Sequence, residues 1–175
     1  MTGRENRRVG RFVMKVRILQ RFLAKLAMVA PGGYTLRPWL HKKRGVRIGA
    51  GVWIGQLVYI DELHPEQVVI EENAVVGLRC TIFAHFYTGG YSPAAKVGKV
   101  VIKRGAFLGP NCTVLNDVVI GQGSVVVAGS VVSRNVPPGV VFGPPPSAPL
   151  AKITHPLIKE GKVEYGKFLF GLKKL

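Results

Sequence analysis

Four histidines, His41, His64, His85 and His155, are the side chains best suited to move a proton near neutral pH. An unperturbed imidazole titrates in that range, so it can take a proton from a hydroxyl or an amine and later release it. Among the four, His85 stands immediately before a stretch that breaks the surrounding sequence pattern. His85 is therefore the candidate general base, although a packed or solvent-facing histidine also fits the residue type.

Thiol, triad and metal chemistry are less well supported. Cys80 and Cys112 form no CxxC pair and are too few for a disulfide framework, which favours a reducing, cytoplasmic setting. Both occupy small positions of the repeat described below, so we interpret them as inert core residues. Asp61 and Asp117 are present, but the spacing does not support a Ser-His-Asp triad. No metal is expected.

A repeat of six residues governs the middle of the chain. An aliphatic residue recurs every six positions from Ile48 to Val132, with two interruptions, and four residues after most of these the side chain is small or aliphatic. The twelve aliphatic positions are Ile48, Ile54, Ile60, Ile70, Val76, Ile82, Ile102, Leu108, Val114, Ile120, Val126 and Val132. This period is neither that of a helix nor that of a flat strand, and it predicts a solenoid with short straight segments and regular corners.

The period predicts the shape of the solenoid. Three hexapeptides form one triangular coil whose aliphatic side chains point inward, and stacked coils pair as parallel strands around a continuous core. We expect an all-β solenoid of about four to five coils. Glycine or asparagine at the corners tolerates positive φ, which we expect at Gly49, Gly51, Asn73, Gly105, Gly121 and Gly123.

The charge is concentrated at the N-terminus. The chain has 25 Lys and Arg against 9 Asp and Glu, and residues 1–44 hold twelve of those cations and a single acid. Residues 11–30 have helical periodicity and end at Pro31-Gly32-Gly33, which predicts a basic amphipathic helix. Basic residues interrupt every candidate secretory signal, and no segment is apolar for long enough to span a membrane.

Three regions follow from these patterns. Residues 1–45 are a basic amphipathic segment, residues 46–143 are the solenoid, and residues 144–175 are a proline-rich turn with a basic tail. The second interruption, predicted as a loop over residues 88–101, leaves the solenoid immediately after His85. Because loops on rigid scaffolds tend to carry function, this loop marks the expected site.

The repeat resembles that of the hexapeptide-repeat acyltransferases, a family of sugar O- and N-acetyltransferases and their relatives. The resemblance implies a left-handed parallel β-helix, a homotrimer, and transfer of an acetyl or similar acyl group from coenzyme A. A histidine before an excursion loop is the family's general base, a role that the resemblance gives to His85. The acceptor would be a hydroxyl or amine of a sugar-like small molecule, with serine or an antibiotic as alternatives.

The resemblance also implies an acetyl-CoA site between subunits. Phe107 matches the family's aromatic residue before an aliphatic-Gly pair, and small residues at the corners would let the pantetheine arm lie on the backbone. Arg134 or Lys152 would meet phosphates. The implied cofactor-binding residues are Phe107, Gly109, Ala128, Gly129, Ser133, Arg134 and Lys152, and the Gly109 amide is the candidate donor to the thioester oxygen.

Two other functions use the same architecture. A γ-class carbonic anhydrase needs three zinc-binding histidines, whereas the predicted solenoid holds only His64 and His85. A non-catalytic scaffold would dock on anionic membrane or polymer through its basic arm, and peripheral membrane contact through residues 1–30 is compatible with either function. Nucleic acid is not an expected partner, because the cations are not interleaved with aromatic residues.

Overall fold

The computed structural model describes residues 18–85, 97–144, 151–159 and 162–174. The chain divides into two compact units, Met1–Pro144 and Pro145–Leu175. The first unit contains the hexapeptide repeats and the described histidines other than His155.

Four stacked coils form the body of the first unit, and each coil contributes one short strand to each of three parallel sheets. The first sheet holds β1 (Arg47–Ile48), β4 (Val68–Ile70), β7 (Val100–Ile102) and β10 (Val119–Ile120). The second holds β2 (Trp53–Ile54), β5 (Val75–Val76), β8 (Phe107–Leu108), β11 (Val125–Val126) and β13 (Val141–Phe142). The third holds β3 (Tyr59–Ile60), β6 (Thr81–Ile82), β9 (Thr113–Val114) and β12 (Val131–Val132). Because β13 begins a fifth turn, the predicted four to five coils are confirmed.

The aliphatic residues of the repeat fill the interior of the solenoid. All of the twelve predicted positions are fully buried except Ile48, which is partly buried in the first coil. Equivalent positions stack directly, as in the pairs Ile54 with Val76 and Val76 with Leu108. Each coil therefore lies over the one before it without a change of register.

The corners use glycine for two different reasons. Gly51, Asn73, Gly105 and Gly123 have positive φ as predicted. Gly49 and Gly121 do not, and that part of the prediction is wrong. A Cβ at Gly49 would lie 2.6 Å from the backbone nitrogen of Glu72, and one at Gly121 would lie 2.3 Å from that of Pro138. At these two corners, glycine is required by the close approach of the next coil.

Two helices pack on the first coil. Residues 18–29 form α1, which agrees with the end of the predicted helix, and the earlier part of that prediction lies outside the described residues. Helix α2 (Leu36–Lys43) was not predicted. Ala24 and Ala27 form the buried side of α1, Ala30 is buried just after its end, and the Leu57 amide donates to the Met28 carbonyl at 2.7 Å.

The two interruptions lie at corners of the solenoid. The first contains a short 3₁₀ helix, Pro65–Gln67. For the second, residues 86–96 lie outside the described part, and His85 pairs with Val97 in an antiparallel bridge. Strand β7 begins at Val100, so the loop ends before the predicted Val101.

The second unit consists of short antiparallel pairs and one helix. Strand β14 (Ala151–Ile153) pairs with β17 (Leu172–Lys174), and β15 (Ile158–Lys159) pairs with β16 (Lys162–Val163). Helix α3 (Tyr165–Phe170) precedes β17. Among the helices of the described ranges, none is both long enough and apolar enough to cross a bilayer.

Candidate active site

His85 lies at the corner between the third and first sheets, three residues after the last residue of β6. The side chain is about 10 % exposed, so it is held in the protein while it still reaches the surface. The repeat explains this position, because Ile82 anchors the strand in the core and the chain then turns outward. The imidazole is therefore presented at an edge of the prism.

Asp61 occupies the equivalent corner one coil earlier and contacts His85 directly. Its Oδ2 atom lies 2.6 Å from His85 Nδ1 and accepts a hydrogen bond from the Ala84 amide at 2.7 Å. Its Oδ1 atom accepts from the amides of Leu63 and His64 at 2.9 and 3.0 Å. A fully buried carboxylate is thus satisfied by three backbone donors and one ring.

These bonds decide the ionisation of Asp61. Burial opposes the charged form, but hydrogen bonds from the His64 and Ala84 amides, the His85 ring and the Leu63 amide outweigh it and hold the pKa of Asp61 below its usual value. An ionised carboxylate only accepts hydrogen bonds, so neutral His85 carries its proton on Nδ1. The lone pair is then on Nε2, which is the nitrogen that can take a proton.

A pocket of about 380 Å³ adjoins His85. It combines charged groups with apolar and aromatic surface, and its lining residues are Arg21, Tyr59, Glu62, Leu63, Phe83 and His85. Helix α1 contributes Arg21 to this lining, and Lys25 of the same helix forms a 2.7 Å ion pair with Glu62. The pocket is large enough for a small acceptor to approach the imidazole.

Four of the predicted coenzyme A residues lie together at a different edge. Phe107 lies in β8, and Gly109 directly follows that strand. Ala128 and Gly129 lie in the corner after β11. All four are at the edge where the second sheet turns into the third. A Cβ on Gly109 would lie 2.6 Å from the Ala128 nitrogen, so these corners are in direct contact. A second pocket of about 360 Å³ includes Gly129.

The other three predicted residues do not join that group. Ser133 and Arg134 are exposed and follow β12 at the same edge as His85. They stand two coils from Phe83, which at the usual strand spacing is about 10 Å along the solenoid. Lys152 lies in β14 of the second unit, and its role towards phosphate stays a prediction.

The oxyanion role expected for the Gly109 amide is wrong. That amide donates to the Val126 carbonyl at 2.8 Å as part of the hydrogen bonding between neighbouring coils. A group already committed in this way cannot also donate to a thioester oxygen without breaking the ladder. Gly109 remains a candidate coenzyme A-binding residue only because it has no side chain.

Sequence reasoning missed several residues of this site. Asp61 could have been found from the repeat. It follows the inward residue Ile60 and lies one coil before Phe83 and Ala84, next to His85. His64, which was not singled out, has its ring centroid 5.8 Å from that of His85. Arg21 and Glu62 reach the pocket from outside the repeat, and their spacing held no such signal.

The cysteines are core residues, as predicted. Cys80 and Cys112 are fully buried, and the Cys112 hydrogen bond together with burial raises the pKa of the Cys80 thiol. Within the residues that the structure describes, no group of three His, Cys, Asp or Glu side chains is placed to hold a metal ion.

Replacement of Asp61 by Asn tests whether this carboxylate is a buried anion. Because its pKa is depressed in the folded state, its contribution is complete above the unfolded carboxyl pKa near ~4 and is lost as the pH falls through the folded value. We expect Asp61→Asn to lower the free energy of unfolding by about 1–3 kcal/mol at pH 7, with the gap narrowing below about pH 4. Urea unfolding across pH, with surface Glu72→Gln as control, measures it. A gap independent of pH would contradict it.

Comparisons with known proteins agree with this architecture. The family model "Bacterial transferase hexapeptide (six repeats)" matches residues 99–134. YvoF of Bacillus subtilis (strain 168), named as a candidate acetyltransferase, is 32% identical over 109 residues, which are 62% of each chain. A serine acetyltransferase of Synechococcus elongatus is 36% identical over 93 residues, 53% of this chain and 37% of that one. The chain thus spans less than two thirds of these relatives.

Solved structures share the fold at low identity. VCA0836, a hexapeptide-repeat acetyltransferase of Vibrio cholerae O1 biovar eltor complexed with acetyl coenzyme A, matches with a TM-score of 0.60 at 19% identity over 74% of this chain and 82% of its own. A maltose O-acetyltransferase of Clostridium difficile 630 matches with a TM-score of 0.56 at 16% identity, with the same coverage. Residues 99–134 thus carry the repeat of the hexapeptide transferases, and the chain shares the left-handed parallel β-helix fold of these acetyltransferases.

Proposed function

We propose that this protein is a coenzyme A-dependent acyltransferase that moves an acetyl or similar acyl group to a hydroxyl or amine of a sugar-like small acceptor. The observation that carries the proposal is the Asp61–His85 pair, a buried carboxylate 2.6 Å from an imidazole at the mouth of a pocket. That arrangement is suited to abstracting a proton from an acceptor. Direct transfer between two bound substrates is the reaction that it fits.

The proposed step needs one base. As the acceptor oxygen or nitrogen attacks the thioester carbonyl carbon, its proton passes to Nε2 of His85, and Asp61 stabilises the imidazolium that forms. The tetrahedral intermediate then breaks its carbon–sulfur bond, and the imidazolium returns the proton to the departing thiolate. The products are the acylated acceptor and free coenzyme A.

Acetyl-CoA is the proposed acyl donor. The relatives named above are acetyltransferases by name, and two structures with the same fold, VCA0836 and a galactoside acetyltransferase, are complexes with acetyl coenzyme A and coenzyme A. In this chain, the exposed small corner at Ala128 and Gly129, with the half-exposed Phe107 ring beside it, offers a surface for the pantetheine arm. Arg134 and Lys152 are the proposed phosphate contacts.

The two edges point to an assembly of subunits. His85 lies where the third sheet meets the first, whereas Phe107, Gly109 and Ala128 lie where the second meets the third. One whole face of the prism separates these edges within a chain. We therefore propose a homotrimer in which the His85 edge of one subunit faces the Ala128 edge of its neighbour, because cyclic closure brings different edges together.

Helix α1 supports an additional proposal, contact with an anionic membrane surface. Its outer face, 41–64% exposed, consists of Ile18, Leu19, Phe22, Leu26 and Val29. Exposed Arg21 and Lys25 flank this face, and residues 1–44 hold twelve cations and one acid. A second copy would bring the same positive charge to that surface, whereas anionic lipid would neutralise it.

Replacement of His85 by Ala tests the proposed base. We expect kcat to fall on the order of 10²- to 10⁴-fold, with acetyl-CoA affinity nearly unchanged and the fold retained, because the base is lost while donor binding is not. Thiol release from acetyl-CoA across a panel of sugars, serine and aminoglycosides measures turnover. His155→Ala, outside the solenoid, is the control. Near-normal turnover by His85→Ala at pH 7 would refute the mechanism.

Mixed assemblies test the shared site. His85→Ala removes the base, and Ala128→Trp fills the exposed corner of the proposed donor edge. Each variant alone should be inactive, but the random mixture of trimers co-expressed from both should recover about a quarter of wild-type activity, because about one edge pairing in four is intact in that mixture. Separately assembled trimers, mixed afterwards, are the control. If verified heterotrimers recover no activity, the base and the donor edge must belong to the same chain. That outcome would contradict the shared site.

Substitutions on the outer face of α1 test membrane contact. Wild-type protein should sediment with vesicles that contain phosphatidylserine and not with phosphatidylcholine alone, and Phe22→Glu should weaken binding at least about 10-fold by removing buried apolar surface. Val163→Glu, at an exposed position of the second unit, is the matched control. Equal binding by Phe22→Glu would refute this proposal. Vesicle binding without turnover on any acceptor would favour the scaffold function instead.

A further inference from the structure

Arg44 is a fully buried cation beneath the first coil. It follows the last residue of α2, and none of its surface is exposed. Its guanidinium donates to the Ile60 carbonyl from both terminal nitrogens at 3.0 Å, and Nη2 also donates to the Asp61 carbonyl. Nη1 lies 3.1 Å from His41 Nδ1. Arg44 thus binds the backbone carbonyl of Asp61, and the Asp61 carboxylate in turn binds His85.

The burial of this charge is costly. Among the described residues, no carboxylate lies within ion-pair distance of Arg44, and its bonds go to carbonyl oxygens and to one imidazole. Burial and the neighbouring Arg44 charge lower the pKa of His41 to about 3, so His41 is neutral and accepts from the guanidinium. A buried cation without an ion-pair partner needs compensation nearby, and the closest available negative charges are on the segment that Arg44 holds.

Asp61 and Glu62 supply that compensation at a distance. Burial lowers the pKa of Arg44, and the negative charges of Glu62 and Asp61 oppose that effect. The attraction is mutual, so a cation behind Asp61 favours its carboxylate form. Arg44 therefore acts on both the position and the charge of the residue that orients His85.

A second buried arginine, Arg37, also binds backbone carbonyls, but not that of Asp61. Arg37, on α2, donates to the Ile54 carbonyl at 2.7 Å and to the Ala30 carbonyl at 2.8 Å. It is almost as buried as Arg44 and holds the same coil. The two arginines differ in what they hold, because Ile54 is a core residue of β2 whereas Asp61 is the partner of His85.

We propose that Arg44 is a positioning residue for the proposed transferase, acting on His85 through Asp61. The inference rests on the proposed function for its catalytic consequence, but the geometry of the Asp61–His85 hydrogen bond is a property of the folded chain alone. Loss of Arg44 frees the Asp61 backbone and leaves its buried carboxylate without a counter-charge. The expected result is a loosened Asp61–His85 bond, with the fold retained.

Proton NMR tests this without any substrate. The proton on His85 Nδ1 lies in a hydrogen bond whose heavy atoms, Nδ1 and Asp61 Oδ2, are 2.6 Å apart. It should give a downfield resonance at pH 7 in wild-type protein and in Arg37→Met. We expect Arg44→Met to lose or broaden it, and Arg44→Lys, which keeps the charge and one donor, to restore part of it. The same resonance in Arg44→Met and Arg37→Met would overturn the proposal.

Kinetics provide the second readout. Arg44→Met should lower kcat about 10- to 100-fold more than Arg37→Met, with KM for acetyl-CoA unchanged, because the positioning of the base is lost while donor binding is not. Circular dichroism confirms that each variant is folded, and Arg44→Lys replaces Arg44→Met if the latter is not. If wild type shows no turnover, the proposed function fails and the resonance alone decides this inference. If His85→Ala is inactive while Arg44→Met matches Arg37→Met, only this inference fails.

Discussion

The structure depends on the stacking of one inward aliphatic residue per face. Because Ile54, Val76, Leu108 and Val126 lie directly over one another, every coil repeats the path of the coil before it. The same register aligns the corners, so Asp61 lies one coil from Ala84 and His85 although 24 positions separate it from the histidine. The hydrophobic core therefore sets the geometry of the polar pair at the surface.

The pair itself shows how a β-helix can keep a buried charge. Corners expose backbone amides that no neighbouring strand uses, and three of these amides turn towards the Asp61 carboxylate. Arg44, which directly follows α2, holds the backbone beneath this carboxylate by hydrogen bonds to the Ile60 and Asp61 carbonyls. The first coil is thus a polar support for the site, whereas the later coils consist mainly of apolar interior and small corners.

The sequence predicted what depends on periodicity and left out what depends on contacts between coils. The core positions and the solenoid followed from a six-residue spacing, and His85 was singled out because the spacing breaks after it. Asp61 was noticed but not paired, since its partner depends on how coils stack. Arg44 was only one of the twelve cations counted in residues 1–44, because composition treats cations alike. Gly49 showed the same limit: its type was correct, but the reason is crowding by Glu72.

The antiparallel bridge between His85 and Val97 has a consequence for how such a site changes over time. It closes the base of the excursion, so the chain leaves and re-enters the solenoid at two adjacent points. The pairing of β6 with β3 and β9, and of β7 with β4 and β10, therefore does not depend on the number of residues between those points. Under the proposed function, the length of chain between His85 and Val97 can thus vary while the Asp61–His85 pair keeps its place in the stack of coils.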